Sequence, residues 1–279
     1  MKKKLIGVLL CTAMVGAMFP ATLFAEERTT FTVGFDAEYP PYGYMDENGE
    51  YTGFDLELAQ AVCDLRGWEL VKTPINWDSK DMELESGSID CIWNGFTING
   101  REDAYTWSVP YVDNSQVIIT SKNSGITTLE DLAGKVVGVQ AASAALQVLQ
   151  DEEQQKELAD TFATLQEFSD YNSAFVELQA GSVDAIAMDI GVANYQIKSR
   201  SNGEDFVILD EHLNAEQYGV GFKKGNTELA EQVNESLMEL LEDGTFAELA
   251  EKYELTDMVC LGNEEAAEEA ETETETAAE

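Results

Sequence analysis

Ile89-Asp90-Cys91-Ile92-Trp93-Asn94-Gly95-Phe96-Thr97-Ile98-Asn99-Gly100-Arg101 is an apolar run that breaks into glycine, threonine and a lone arginine. Such a run reads as a buried strand whose C-terminal end delivers polar groups into a crevice, the place where open α/β sheets bind ligands. The chain holds a second version of the segment that leads into it. Leu84-Glu85-Ser86-Gly87-Ser88-Ile89-Asp90-Cys91-Ile92 is matched by Leu178-Gln179-Ala180-Gly181-Ser182-Val183-Asp184-Ala185-Ile186, nearly position for position. Each copy reads as a helix end, a glycine turn and a β-branched strand. A shorter match, Val33-Gly34-Phe35-Asp36 against Val137-Gly138-Val139-Gln140, precedes each copy. Two similar units predict an α/β protein of two lobes whose strand ends face one cleft.

Composition places such a protein outside the cytoplasm. Lys2, Lys3 and Lys4 precede an apolar segment from Leu5 to about Phe19, and Leu23-Phe24-Ala25 precedes the acidic Glu26-Glu27. Positive, apolar and small-residue regions in that order describe a secretory signal peptide over residues 1–25, the alternative being a membrane anchor, for which the run is short. Its removal takes three lysines and no acid, moving the net charge from −38 to −41. A chain so acidic repels nucleic acid and anionic lipid. Residues 264–279 carry eight of the acids among alanine and threonine with no apolar period, which reads as a solvated, disordered tail. Cys63, Cys91 and Cys260 follow the leader; Cys63 and Cys91 read as buried thiols, with one disulfide as the alternative. No cysteine or histidine spacing marks a metal site, and no cofactor motif occurs.

Strands are predicted at Thr30–Phe35, Trp68–Thr73, Gln116–Thr120, Val136–Val139, Thr164–Phe168 and Gln217–Phe222. Phe54, Leu58, Val62 and Leu65 fall at helical spacing up to a Gly67 stop, and short helices are expected at Met82–Glu85 and Leu129–Lys135. A longer helix is predicted from Ala144 through Leu158 with Ser143 as its N-cap, another runs through Phe175 to Leu178, and Leu229–Tyr253 splits into two at Asp243-Gly244.

Taken in order, several elements resemble the polar amino-acid substrate-binding proteins of ABC importers, the periplasmic binding proteins of solute-binding family 3. They are Gly53-Phe54-Asp55, Gly95-Phe96-Thr97 followed by Arg101, Asp131–Lys135 before Val136–Val139, Asp184-Ala185-Ile186 before Asp189, and Gln217–Phe222. The resemblance covers about Thr30 to Tyr253. It implies a two-lobed, type II-like α/β fold with two crossover hinge strands, near Tyr111–Ile118 and Asn214–Val220. Residues 29–113 and 218–260 would form one lobe, residues 114–217 the other, and residues 261–279 the tail. The implied function is extracytoplasmic capture of a free amino acid by a monomer, without cofactor, and delivery to the transmembrane subunits of an ABC permease.

The chemistry of a zwitterion assigns the cleft residues. A carboxylate wants a planar bidentate donor, and Arg101 is the candidate, with helix amides near Ser143 as a second clamp. The α-ammonium wants acceptors: Asp189, which matches the family's ammonium acceptor, the carbonyl of Asn94 or Gly95, and the Thr97 hydroxyl. Tyr39 and Trp77 occupy loops that the family uses to sandwich the ligand side chain, and Asp36, Gln140 and Met188 would line the rest. Apart from Arg101 this set has no cation, so a polar or neutral amino acid fits better than an acidic one. Two other readings stay open. One is a cleft enzyme such as a periplasmic dehydratase, although the sole histidine, His212, has no nucleophile partner in sequence. The other is a ligand-sensing module of the same fold.

Overall fold

The computed structural model describes residues 28–262, so the predicted leader and nearly all of the acidic tail lie outside the described residues. The first half builds β1 (Thr30–Phe35), β2 (Glu38–Tyr39), β3 (Gly43–Met45), β4 (Tyr51–Thr52), α1 (Phe54–Arg66), β5 (Glu69–Pro74), α2 (Lys80–Ser86), β6 (Cys91–Ile92), β7 (Thr106–Trp107) and β8 (Val112–Ser121). The second builds β9 (Val136–Gln140), α3 (Ala144–Gln150), α4 (Lys156–Ala159), β10 (Thr164–Phe168), α5 (Tyr171–Ala180), β11 (Ala185–Asp189) and α6 (Ile190–Ser199). After these come β12 (Phe206–Tyr218), β13 (Gly221–Phe222), α7 (Thr227–Glu242) and α8 (Thr245–Lys252).

The strands form two five-stranded sheets, ordered β5-β1-β6-β13-β7 and β10-β9-β11-β8-β12, and a small β2-β3-β4 sheet. In both large sheets the first strand of the repeat lies between its two parallel successors, and an antiparallel strand follows on the far side. The internal repeat is therefore a repeat of topology. Parallel strands covered on both faces need apolar residues throughout, and β11 is buried at all five positions. The amphipathic α7 and α8 cover the first sheet, whose main apolar cluster gathers Phe31, Phe54, Trp93, Phe222, Leu237 and Phe246.

β8 and β12 are the longest strands and pair antiparallel from Val112↔Tyr218 to Ser121↔Phe206. At the Val112 and Tyr218 end the chain turns into the first sheet, where Thr97 bridges Tyr218. Two connections side by side are a hinge geometry.

Several expectations need correction. The helix expected through Leu158 is two helices, because Asp151 ends α3 and its carboxylate takes the Glu153 amide and the Gln154 side chain. Leu129–Leu132 is a 3-10 turn, and the expected strand from Gln217 to Phe222 is interrupted between Tyr218 and Gly221. In the opening stretch only Cys91–Ile92 is ladder-paired; the rest is loop. Cys63, Cys91 and Cys260 are free and buried, as the thiol reading has it.

Candidate functional site

Asp189 is the N-cap of α6, yet its side chain makes no capping bond. Its Oδ1 instead accepts from Asn114 Nδ2 at 2.9 Å, Gln116 Nε2 at 2.6 Å and the Tyr218 hydroxyl at 2.5 Å. The carboxylate is thus turned inward from the strand end and fixed by three donors from the two long strands. It is 2% exposed.

Beside it stands Glu216, on β12. Glu216 Oε1 accepts from the Thr97 hydroxyl at 2.9 Å and from the same two amide groups, Asn114 Nδ2 and Gln116 Nε2, at 2.7 Å each. Burial, and then the charge of Asp189, push the Glu216 carboxyl up to about 7. The amide oxygens of Asn114 and Gln116 are buried without a partner, so unspent acceptors lie next to both carboxylates.

The loop after β6 brings Asn94, Gly95 and Thr97 to the same place. Asn94 Oδ1 accepts the Asp36 amide, and the Gly95 amide donates to the buried Asp55 carboxylate at 2.6 Å. Gly95 has φ +54°, and a Cβ there would meet the rings of Tyr218 and Tyr39 at 3.0 Å. Glycine is required here on both counts. Tyr39 lies between Tyr42 and Tyr171, at ring distances of 5.9 and 6.0 Å, and Tyr42 meets Tyr218 edge-on. Burial and then the charge of Asp189 hold the Tyr39 hydroxyl well above the ordinary phenol range, so it is a neutral donor and acceptor. Four buried tyrosines pack together here, of which the sequence reading identified only Tyr39 as a site residue.

Asp36 and Gln140, equivalent in the repeat, meet across the lobes: Gln140 Nε2 donates to Asp36 Oδ2 at 2.6 Å. Burial raises the Asp36 carboxyl, against the opposing effect of the Glu38 amide and Gln140.

Arg101 and Ser143 line a cavity of about 490 Å³ with Lys80, Ala142 and Gln147. The Arg101 guanidinium lies 5.3 Å from the Phe96 ring and donates to the Thr97 carbonyl at 3.3 Å. Burial lowers its pKa, while the charges of Glu216 and Asp189 act in the opposite sense. Ser143 Oγ caps the Leu146 amide at 3.1 Å, and Ala142 before it has φ +56°, an αL conformation that is strained for a residue with a Cβ. Lys80, 5% exposed, is a second cation that the sequence reading missed; its Nζ reaches the Ala142 carbonyl at 3.4 Å.

Trp77 and Met188 differ in their surroundings. Trp77 packs edge-on to Phe96 in the cluster with Leu84, Ile89 and Ile92 and carries Lys80 over its ring, which puts it beside the Lys80 and Arg101 cavity. Met188 is fully buried in the main apolar cluster; strand alternation turns it away from the face on which Asp189 meets Gln116. Of the other predicted residues, Arg101 and Ser143 line the cavity, while Asp36 with Gln140, and Asp189 with Thr97 through the Asn114, Gln116 and Glu216 network, are buried and joined by hydrogen bonds.

Residues 31–256 match the family model described as bacterial extracellular solute-binding proteins, family 3. The L-cystine-binding protein TcyJ of Escherichia coli (strain K12) is 31% identical over 82% of this chain and 84% of its own length. A substrate-binding protein of an ABC uptake transporter from Streptococcus pneumoniae, solved with bound histidine, is 34% identical, covers 80% of this chain and 92% of its own, and superposes with a TM-score of 0.75. An ancestral arginine-binding protein bound to arginine is 37% identical, covers 81% and 99%, and also superposes at 0.75. The chain belongs to the bacterial extracellular solute-binding proteins of family 3.

Proposed function

We propose that the protein captures one free amino acid outside the cytoplasm, after removal of residues 1–25, and presents it to the membrane subunits of an ABC importer. Arg101 binds the α-carboxylate with help from the chain around Ser143. Asp189, the Thr97 hydroxyl and the carbonyl of Asn94 or Gly95 accept the α-ammonium, and Tyr39 with Tyr171 packs on the side chain. Residues 29–113 with 218–260, and residues 114–217, move as lobes about β8 and β12. Ligand groups held from both lobes stabilise the closed state.

The observation that carries this reading is the Asp189 carboxylate, which sits at a helix N-cap but makes no capping bond and is instead buried on donors from both long strands. A buried carboxylate so placed needs a cation. A zwitterion supplies one and at its other end meets Arg101. Asp36 extends the choice to an amino acid with a cationic or hydrogen-bonding side chain, the kind bound by the arginine- and histidine-binding relatives. A dehydratase acting on a dicarboxylic acid has no use for this acceptor, so the protein is a binding protein and not an enzyme.

A thermal-shift screen of the mature chain against the free amino acids, L-cystine and several dicarboxylic acids tests the proposal. Ligand at a hundred times its Kd adds about 2.7 kcal/mol of stability, which moves a melting curve visibly. The expected result is a shift with one or a few L-amino acids that disappears in Asp189→Ala and Arg101→Ala. Silence with every amino acid and a shift with a dicarboxylic acid would return the enzyme reading.

A further inference from the structure

Asp189 and Glu216 come from different strands but share their hydrogen-bond donors. Each of the two amide nitrogens, on Asn114 and Gln116, bonds one oxygen of both carboxylates, at 2.6 to 2.9 Å. Through Gln116 alone the two acid oxygens can be no further apart than those two short bonds laid end to end. Both residues are less than 5% exposed. Two carboxylates held so close and away from water cannot both carry charge without a cation beside them. Arg101 is the cation whose charge is felt at both acids, but it donates to the Thr97 carbonyl at 3.3 Å and forms a salt bridge with neither. The other groups whose charge is felt around Glu216 are the hydroxyls of Tyr42, Tyr171 and Tyr218, all held neutral by burial.

We propose that Glu216 is a second carboxylate of the ammonium subsite, protonated in the empty cleft, and that the arriving α-ammonium of the ligand expels its proton to solvent. The inference rests on the amino-acid reading above and deepens it. The step balances simply: the carboxylic acid of Glu216 loses H⁺ to bulk water, and the resulting carboxylate faces the ammonium that Asp189 also accepts. The Thr97 hydroxyl, bonded to Glu216 at 2.9 Å, links this pair to the first lobe, and the unpartnered oxygens of Asn114 and Gln116 are available to further N–H donors. Glu216 therefore acts on ligand affinity from the crossover strand itself.

The sign follows from linkage. Binding that releases a proton is favoured as pH rises, and the dependence ends once the empty site has already lost that proton. With Glu216 held near 7 in the empty site, affinity should rise by up to about tenfold per unit between pH 5.5 and 7 and level off near pH 8.

Calorimetric titration of the mature chain with L-arginine and with L-cystine, in two buffers of different ionisation enthalpy, measures the released protons directly. One proton per ligand near pH 6 is expected, with a loss of the pH slope in Glu216→Gln. Asp55 is another buried acid, pushed up to about 7 by burial, and it has no part in the ligand contacts, so Asp55→Asn is the second variant, and it should keep the release even if Glu216→Gln does not fold. Equal apparent heats in the two buffers and a flat pH profile in a protein that does bind would overturn this inference and leave the amino-acid reading standing. So would release that survives Glu216→Gln, or that vanishes in an Asp55→Asn variant that still binds. Failure of both probes, together with silence of every amino acid in the melting screen, would defeat both readings at once.

Discussion

Asp90 opens β6 and Asp184 opens β11, and each ties its strand to the neighbouring one in the same way. The Asp90 amide donates to the Thr32 carbonyl while its carboxylate accepts the Thr32 amide, both at 2.8 Å; Asp184 does the same with Val136, again at 2.8 Å. Gly87 and Gly181 close the preceding helices with φ of +79° and +75°. Beyond the strands the likeness ends. β6 opens into the loop of Asn94, Gly95, Thr97 and Arg101, whereas β11 runs on to Asp189 and straight into α6. The fastening is held in common because both sheets need it, whereas the strand ends carry different chemistry, an amide-, threonine- and arginine-bearing loop after β6 and a buried acid at the end of β11.

The largest test of that contrast exchanges the residues that the repeat aligns at the strand ends, Gly95 and Asp189. Asp189→Asn keeps shape and one acceptor but removes the charge that faces the ammonium. Breaking a buried charge pair costs about 3 to 5 kcal/mol, so the Kd should weaken by roughly two to four orders of magnitude. The melting temperature of the unliganded variant should hold or rise, since a carboxylate beside Glu216 has gone. Gly95→Ala should instead lower both the affinity and the melting temperature, because φ +54° and the rings of Tyr218 and Tyr39 leave no place for a methyl group. If Asp189→Asn unfolds the protein while Gly95→Ala is silent, strand-end roles have been assigned the wrong way round.

A smaller effect separates the two sheets in their packing. Gly34 in β1 and Gly138 in β9 are equivalent, and each lies beneath the β-branched residue that precedes its aspartate. A Cβ on Gly34 would come to 2.4 Å from Ile89 Cδ1 and 3.1 Å from its Cγ2, whereas one on Gly138 would meet Val183 Cγ1 at 3.3 Å and Phe168 at 3.0 Å. Overpacking a filled core costs typically 1 to 3 kcal/mol, so Gly34→Ala should lie at the upper end of that range and Gly138→Ala below it. Urea denaturation of the two variants checks the order.

The repeat, α1 with its Gly67 stop, the α7–α8 break at Asp243-Gly244 and the polar strand ends were all legible because each depends on local periodicity or a glycine. The α6 helix was not. Ile190-Gly191-Val192-Ala193 continues an apolar strand pattern, and Gly191 is small because Tyr42 lies against it, a contact far away in sequence. Glu216, Asn114 and Gln116 were missed although a signal existed. Asn114 and Gln116 sit two apart on one strand, Asn214 and Glu216 two apart on its partner, and period two puts each pair on one face. Lys80 was legible in the same sense, four residues before Leu84 on the buried side of α2. What no pattern could supply is the pairing that brings these faces to Asp189.

The finest test concerns the shared fastening. Asp90→Ala and Asp184→Ala each remove the acceptor of one partly buried backbone amide and leave the strand's own ladder bond in place. A lost hydrogen bond of this kind costs about 1 kcal/mol. Asp90 also meets Arg28 at 2.8 Å, but with both side chains about a third exposed, the pair adds at most a few tenths of a kcal/mol in moderate salt. The two variants should therefore lose nearly equal stability in urea, with the gap between them closing at high salt, and neither should change ligand affinity by more than about threefold, since neither aspartate reaches the cleft. A large inequality that persists in salt would mean that matching geometry conceals unequal strain in the two sheets. Near equality would mean that the repeated device is energetically one device used twice, and that divergence between the halves was confined to the residues that meet the ligand.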